Sequence, residues 1–200
     1  MGKLTKPLIF AACLVPFLYL LSRVLRNDLG PDPAQELAIA TGEWTLRFLL
    51  IALAVTPVRQ LTGISALSRF RRMLGLYALW YASWHFFVYQ AFLLGFQWST
   101  LAEELIERPY ITVGFAAFLI LTALGITSPK VMVKKLGRNW KRLHRLVYVA
   151  AVLGIIHLLW IVRSDFGPVL LYGSILALLL GYRLLRYLRY SGKLQLSGHG

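Results

Sequence analysis

Six apolar runs separated by short polar stretches organise this chain from end to end. They cover about 8–25, 41–58, 73–96, 110–127, 143–162 and 167–187. Several approach the roughly 20 residues that a helix needs to cross a hydrocarbon core. The pattern predicts an all-α membrane protein, a six-transmembrane-helix bundle in one domain over 1–200. The second run looks short, but the weakly apolar stretch from Ala34 extends it. Arg47 within it is placed to snorkel to an interface. Pro57 reads as the close of that span, and "RPY" at 108–110 as the opening of the fourth, where proline suits a first helical turn. No repeat, low-complexity segment or long linker interrupts the series.

Composition agrees with the pattern. Hydrophobic residues make up 58% of the chain and charged ones 15%, with a mean hydropathy of +0.64. A soluble domain of this length cannot hide that much apolar surface. The net charge of +14 would suit nucleic acid in a soluble protein, but here it has a simpler source. Lys and Arg collect in the cytoplasmic loops of membrane proteins.

Seventeen of the 22 Lys and Arg residues fall in the N-terminal tail, the second and fourth loops and the C-terminal end. All eight acids, Asp28, Asp32, Glu36, Glu43, Glu103, Glu104, Glu107 and Asp165, fall on the opposite side. Both termini are therefore expected in the cytoplasm, with the odd-numbered loops outside. No nucleic-acid partner is expected. The basic loop "KVMVKKLGRNWKRLHR" reads first as a topology signal and a contact for membrane lipids with anionic headgroups. The acidic outer face reads as a solvated surface, or more sharply as a dock for a basic partner.

The first run follows Lys3 and Lys6 and has no small-residue cleavage pattern, so it reads as a retained helix rather than a signal peptide. "MGKLTK" carries Lys6 where a myristoylation signal needs Ser or Thr. The single cysteine, Cys13, excludes an intramolecular disulfide and any four-cysteine cluster.

Ionisable side chains inside spans are costly and point to function. His85 lies in the third run, His144 opens the fifth and His157 lies further along the fifth, whereas His199 belongs to the terminal "SGHG". At 1.5 Å per residue, His85 sits roughly 20 Å and His157 roughly 22 Å from the cytoplasmic edge. Two imidazoles at one level can hold an iron atom between them, or hydrogen-bond to neighbouring helices, or relay protons. His144 precedes His157 by thirteen residues, which puts it about 140° off that face on a straight helix. Gly154 is the one obvious point of weakness. Opposite His144 the third run offers Arg71, Arg72 and Met73 but no histidine. The arginines suit haem propionates or a flavin phosphate.

The chain resembles the MsrQ (YedZ) family. The likeness rests on "LGPDP", the "TP" ending the second run, "RRMLGLYALWYASWH", "RPYITVG", "TS", "LGRNWKRLHRLVYV" and "IHLLW", in that order and spacing. The family is a branch of the ferric-reductase-like transmembrane group. The resemblance implies an inner-membrane b-type cytochrome that binds haem b, one or two, with FMN as a further cofactor. It implies quinol or a separate cytosolic flavin reductase as donor, because the chain is too short to carry a flavin and nucleotide domain. The implied acceptor is a periplasmic molybdenum-containing methionine sulfoxide reductase subunit, which repairs oxidised envelope proteins. His85, His144 and His157 fall where the family's haem-associated histidines fall. The expected assignment is one haem on His85 and His157, with His144 serving a second haem or an electron entry site.

Two other readings stay open on sequence. One is a haem-free transporter or scaffold with a histidine proton relay. The other is a ferric- or oxygen-reducing cytochrome with a different acceptor.

Overall fold

The structure, a computed structural model, describes residues 4–162 and 164–196, with side chains through residue 189. His199 lies outside the described residues. Within them every regular element is helical, and no strand occurs.

Helix α1 spans Thr5–Leu25 and α2 spans Pro33–Thr62. The "LGPDP" stretch between them supplies the start of α2. The Asp32 side chain accepts from Gln35 N at 3.0 Å, and Pro33 takes the first turn, where a missing N–H costs nothing. Across this joint Arg23 pairs with Glu36 at 2.9 Å.

A short 3₁₀ turn, Ser65–Arg69, leads into α3, Arg71–Val88. The chain then makes one π turn, Tyr89–Leu93, in which Leu94 N donates to Tyr89 O. Helix α4, Trp98–Glu107, is short and amphipathic, with Leu101 buried. Helix α5 is Pro109–Ile126. The basic segment forms α6, Lys130–Leu136, and α7, Arg138–Leu143, before α8, Leu146–Ile161. Helix α9 is Gly167–Leu196.

Five stretches are long and apolar enough to cross a membrane: α1, α2, α5, α7 with α8, and α9. The third expected span differs. Helix α3 opens on two arginines and is rich in Tyr and Trp, so it is less apolar than its neighbours. It nonetheless lies at the centre of the bundle, packed against α2 and α5. Ala78 and Tyr81 of α3 and Ala150 of α8 have no exposed surface.

Two sequence expectations about α2 are corrected. Pro57 does not end the helix, which continues to Thr62. A proline cannot donate to the carbonyl four residues back, here Leu53 O. Arg183 of α9 fills that place, with its Nη2 donating to Leu53 O at 2.5 Å. Arg47 does not snorkel alone. It is paired with Glu43 and donates from Nε to Tyr172 OH of α9 at 2.8 Å. It also lies over the Trp44 ring.

Helix α1 is held to α3 by tyrosines. The Tyr81 hydroxyl accepts from Phe17 N and donates to Cys13 O, each at 3.0 Å. An uninterrupted helix would join those two groups to each other, and Pro16 beside them loosens that turn. Tyr77 OH donates to Phe10 O at 2.9 Å, about one turn nearer the start of α1.

Candidate cofactor site

His85 of α3 and His157 of α8 face each other in the bundle. Their ring centres are 6.1 Å apart and their planes cross at 82°. The matched depths read from the sequence thus correspond to a direct approach of the two rings.

Each ring is held in the same way. His85 Nδ1 lies 2.8 Å from Ala38 O of α2, and His157 Nδ1 lies 2.6 Å from Tyr110 O of α5. A carbonyl only accepts, so the proton of each neutral ring sits on Nδ1. Both Nε2 atoms therefore keep a free lone pair, the tautomer a metal-binding histidine needs when its other nitrogen is anchored.

One turn past each acceptor stands a glycine against the ring. A Cβ on Gly42 would stand 3.2 Å from His85 Cε1 and Nδ1. A Cβ on Gly114 would stand 2.6 Å from the same atoms of His157. At Gly114 backbone and ring approach more closely than a side chain permits, and at Gly42 the approach is tight but less extreme.

In both cases the acceptor precedes the histidine by 47 positions. One offset carries Ala38 to Tyr110, Gly42 to Gly114 and His85 to His157. The helix pairs α2 with α3 and α5 with α8, the two most extensively packed pairs, are thus built alike at the site. The sequence expectation of no repeat is corrected at this level. The likeness lies in a glycine, a histidine and a carbonyl acceptor, and too few side chains carry it to register as a sequence repeat. The same offset carries Arg72 to His144, so an arginine stands where a fourth histidine would fall.

His144 is placed differently. It lies in a two-residue break between α7 and α8, so a count along a straight helix does not apply to it. Gly154, in contrast, lies within unbroken α8 beside Leu46. The His144 ring stacks on Trp140 with centres 4.0 Å apart, and its Nε2 lies 3.1 Å from Thr127 Oγ1. Thr127 has one hydroxyl proton, which goes to Ala123 O at 2.7 Å. The His144 Nε2–H is therefore the donor. Trp140 Nε1 closes the group by donating to Thr127 O at 2.9 Å. Arg71 donates to Thr56 Oγ1 at 3.3 Å, while Arg72 and Met73 line a groove against α1.

The pair of free Nε2 atoms has a narrow chemical use. No group of three or more His, Cys, Asp or Glu among the described residues is placed to hold a metal ion. Two imidazoles alone leave a first-row metal short of donors, and a macrocycle with four equatorial nitrogens completes the set. Two imidazoles on one iron put their ring centres about 6 Å apart, from two metal–nitrogen bonds of about 2 Å plus the depth of each ring. The residues present fit that group.

The turn after α3 contains a feature the sequence did not point to. Gln90, in the π turn five residues after His85, is 2% exposed, and neither atom of its carboxamide has a partner among the described residues. A glutamine in an apolar run gives no signal of its own.

Comparison with known proteins follows the same lines. Residues 39–155 match the family described as "Ferric reductase like transmembrane component", a segment that contains His85, Tyr110 and both glycines and ends just short of His157. A protein of Polaromonas naphthalenivorans (strain CJ2) is 47% identical over 181 residues, covering 89% of this chain and 83% of that protein. One of Xanthomonas euvesicatoria pv. vesicatoria (strain 85-10) is 52% identical over 157 residues, covering 78% of this chain and 72% of that protein. A protein of Xanthomonas oryzae pv. oryzae (strain MAFF 311018) gives the same identity and coverage. All three carry the name protein-methionine-sulfoxide reductase heme-binding subunit MsrQ. No solved structure matches.

Proposed function

The chain belongs to the MsrQ family of ferric-reductase-like membrane components, and from that membership we propose that it is the b-type cytochrome of a methionine sulfoxide reductase system. It is a multi-pass inner-membrane protein. In this reading it takes electrons from quinol or a cytosolic flavin reductase. It passes them to a periplasmic molybdenum-containing catalytic subunit that reduces methionine sulfoxide in oxidised proteins.

The observation that carries the reading is the His85–His157 pair, 6.1 Å apart, with each Nδ1 on a backbone carbonyl. Haem bound there supplies a one-electron carrier in the low-dielectric middle of the bundle. The protein's part is to hold both imidazoles neutral and fixed. The Ala38 and Tyr110 carbonyls set the tautomer, and Gly42 and Gly114 let the rings seat against backbone. Two neutral ligands add no charge to an apolar interior.

His144 belongs to the cytoplasmic side of this scheme, as a ligand to a second haem or as part of the electron entry site. Ligation through Nε2 requires its bond to Thr127 to open. FMN is the further cofactor that family membership suggests. Helix α3 completes a count of six spans with both termini cytoplasmic. The exposed face of α4, with Glu103, Ile106 and Glu107, then lies outside and meets the catalytic subunit.

The test is a dithionite-reduced minus oxidised visible spectrum of protein purified in mild detergent. A sharp low-spin b-type band is expected, and His85→Ala and His157→Ala each remove the same band. A colourless protein after haem supplementation during expression would return the chain to the transporter or scaffold reading. A C-terminal reporter active only in the periplasm would overturn the orientation.

A further inference from the structure

An open groove of about 610 Å³ runs along the outside of the bundle between α1 and α3. It owes nothing to the histidine pair. From α1 it is lined by Lys6, Phe10 and Leu14, which recur every fourth residue and so form one stripe. From the other side it is lined by Arg69, Arg72, Met73, Leu76, Tyr77 and Trp80.

Polarity changes along the groove. Lys6, Arg69 and Arg72 stand at one end, and the following two to three turns are aliphatic, thioether or aromatic. Tyr77 adds little polarity to the trough, because its hydroxyl is donated to Phe10 O. The wall therefore presents three cations and then apolar surface over roughly 6 Å along α1 and roughly 10 Å along α3, at 1.5 Å per residue.

The cations have no counter-charge. The ion pairs among the described residues are Arg23–Glu36, Arg47–Glu43 and Arg108–Glu104. Every acid in the chain lies toward the opposite end of the spans. Nothing within the described residues neutralises Lys6, Arg69 or Arg72, although all three border one groove.

We propose that this groove binds an anionic phospholipid, with its phosphate between Lys6, Arg69 and Arg72 and an acyl chain along Phe10, Leu14, Leu76 and Trp80. A small soluble anion would use the charged end and leave the apolar length bare. A neutral lipid would use the trough and leave three cations unmatched. An amphipathic anion uses both, and basic pockets between spans are known seats for such headgroups. The lipid fills a seam beside the contacts of α1 with α2 and α3, so it also bears on how firmly α1 is held.

The test uses the full-length protein in detergent. Phosphatidylglycerol and phosphatidylcholine with identical chains are offered in competition, and native mass spectrometry reads which is retained. The wild type is expected to keep phosphatidylglycerol in preference by at least about tenfold, given three basic residues at the headgroup. Lys6→Gln/Arg69→Gln/Arg72→Gln abolishes the preference, while Lys134→Gln/Lys135→Gln in the basic loop leaves it intact. Leu76→Trp, which fills the trough and changes no charge, lowers retention of both lipids and keeps the proposal testable if the triple variant fails to fold. Equal retention of the two lipids by the wild type overturns the proposal. So does loss of preference in the Lys134/Lys135 variant alone, which would make the basic loop the headgroup contact. Displacement of bound phosphatidylglycerol by inorganic phosphate or FMN at equal concentration overturns it as well, since the charged end would then suffice.

Discussion

His157 stands to Tyr110 as His85 stands to Ala38: each donates Nδ1–H to a carbonyl 47 residues earlier, one turn before a glycine that backs its ring. Two helix pairs thus deliver the same device from opposite sides, and the two rings approach to 6.1 Å between centres. The two halves are not equally tight. A methyl group would meet His157 at 2.6 Å but His85 at 3.2 Å. The first distance demands that the ring move, whereas a few tenths of an ångström relieve the second. Gly114→Ala is therefore expected to cost about 1–3 kcal/mol in packing and to reduce haem content strongly. Gly42→Ala shifts the band slightly and keeps most of the haem. Haem-to-protein ratios of the two variants, measured after identical purification, check the order. Equal losses would mean that the glycines do not set the ring positions.

His144 differs from the pair in which nitrogen is occupied. Its Nε2–H is donated to Thr127, and its ring is stacked on Trp140. His144→Ala is thus expected to leave the band lost in His85→Ala and His157→Ala intact. Thr127→Val should likewise spare that band, since it removes only the acceptor for His144. Redox titration of both variants separates the contributions. Disappearance of the whole spectrum in His144→Ala would show that His144 supports the iron held by the other two.

The Tyr81 hydroxyl bonds two backbone groups of α1, Phe17 N and Cys13 O, one turn apart. Tyr81→Phe removes two hydrogen bonds to the α1 backbone, at about 0.5–1.5 kcal/mol each. Tyr77→Phe removes a single bond to Phe10 O, so its loss is about half as large. Thermal unfolding followed by tryptophan fluorescence suits the comparison, because Trp80 and Trp84 both pack against Phe17. If the two variants melted together, the Tyr81 hydroxyl would contribute no more than an ordinary hydrogen bond.

Much of the fold was legible because the hydrophobic effect writes spans as long apolar runs. Five of the six runs recur as helices long and apolar enough to span, and the extension of the second run from Ala34 falls within α2. The ends were less legible, because apolarity stops at the interface while a helix does not: α2 runs on to Thr62 past its proline. That His85 and His157 share one level was readable from depth alone. Their acceptors were not, since a backbone carbonyl has no residue type to recognise, and Ala38 and Tyr110 share no chemistry. Gly42 was hidden for a similar reason. Its role depends on a ring from another helix, and nothing in its own neighbourhood announces that contact.

Pro57 and Arg183 share one carbonyl, and the sharing can be measured. Proline withholds the N–H that Leu53 O would otherwise receive, and Arg183 supplies a charged donor at 2.5 Å while also donating to Leu179 O at 2.8 Å. Its guanidinium carbon lies 5.4 Å from the centre of the Tyr148 ring, so α9 is tied to both α2 and α8 through this side chain. Arg183→Leu is expected to destabilise by about 2 kcal/mol, the size of a hydrogen bond from a charged group. Pro57→Ala restores a backbone donor to Leu53 O, so the arginine loses part of its role in that background. The double variant should then be more stable than the sum of the single losses predicts, with a coupling of about 1 kcal/mol. Strict additivity in thermal or denaturant unfolding would show that the two residues act on α2 independently.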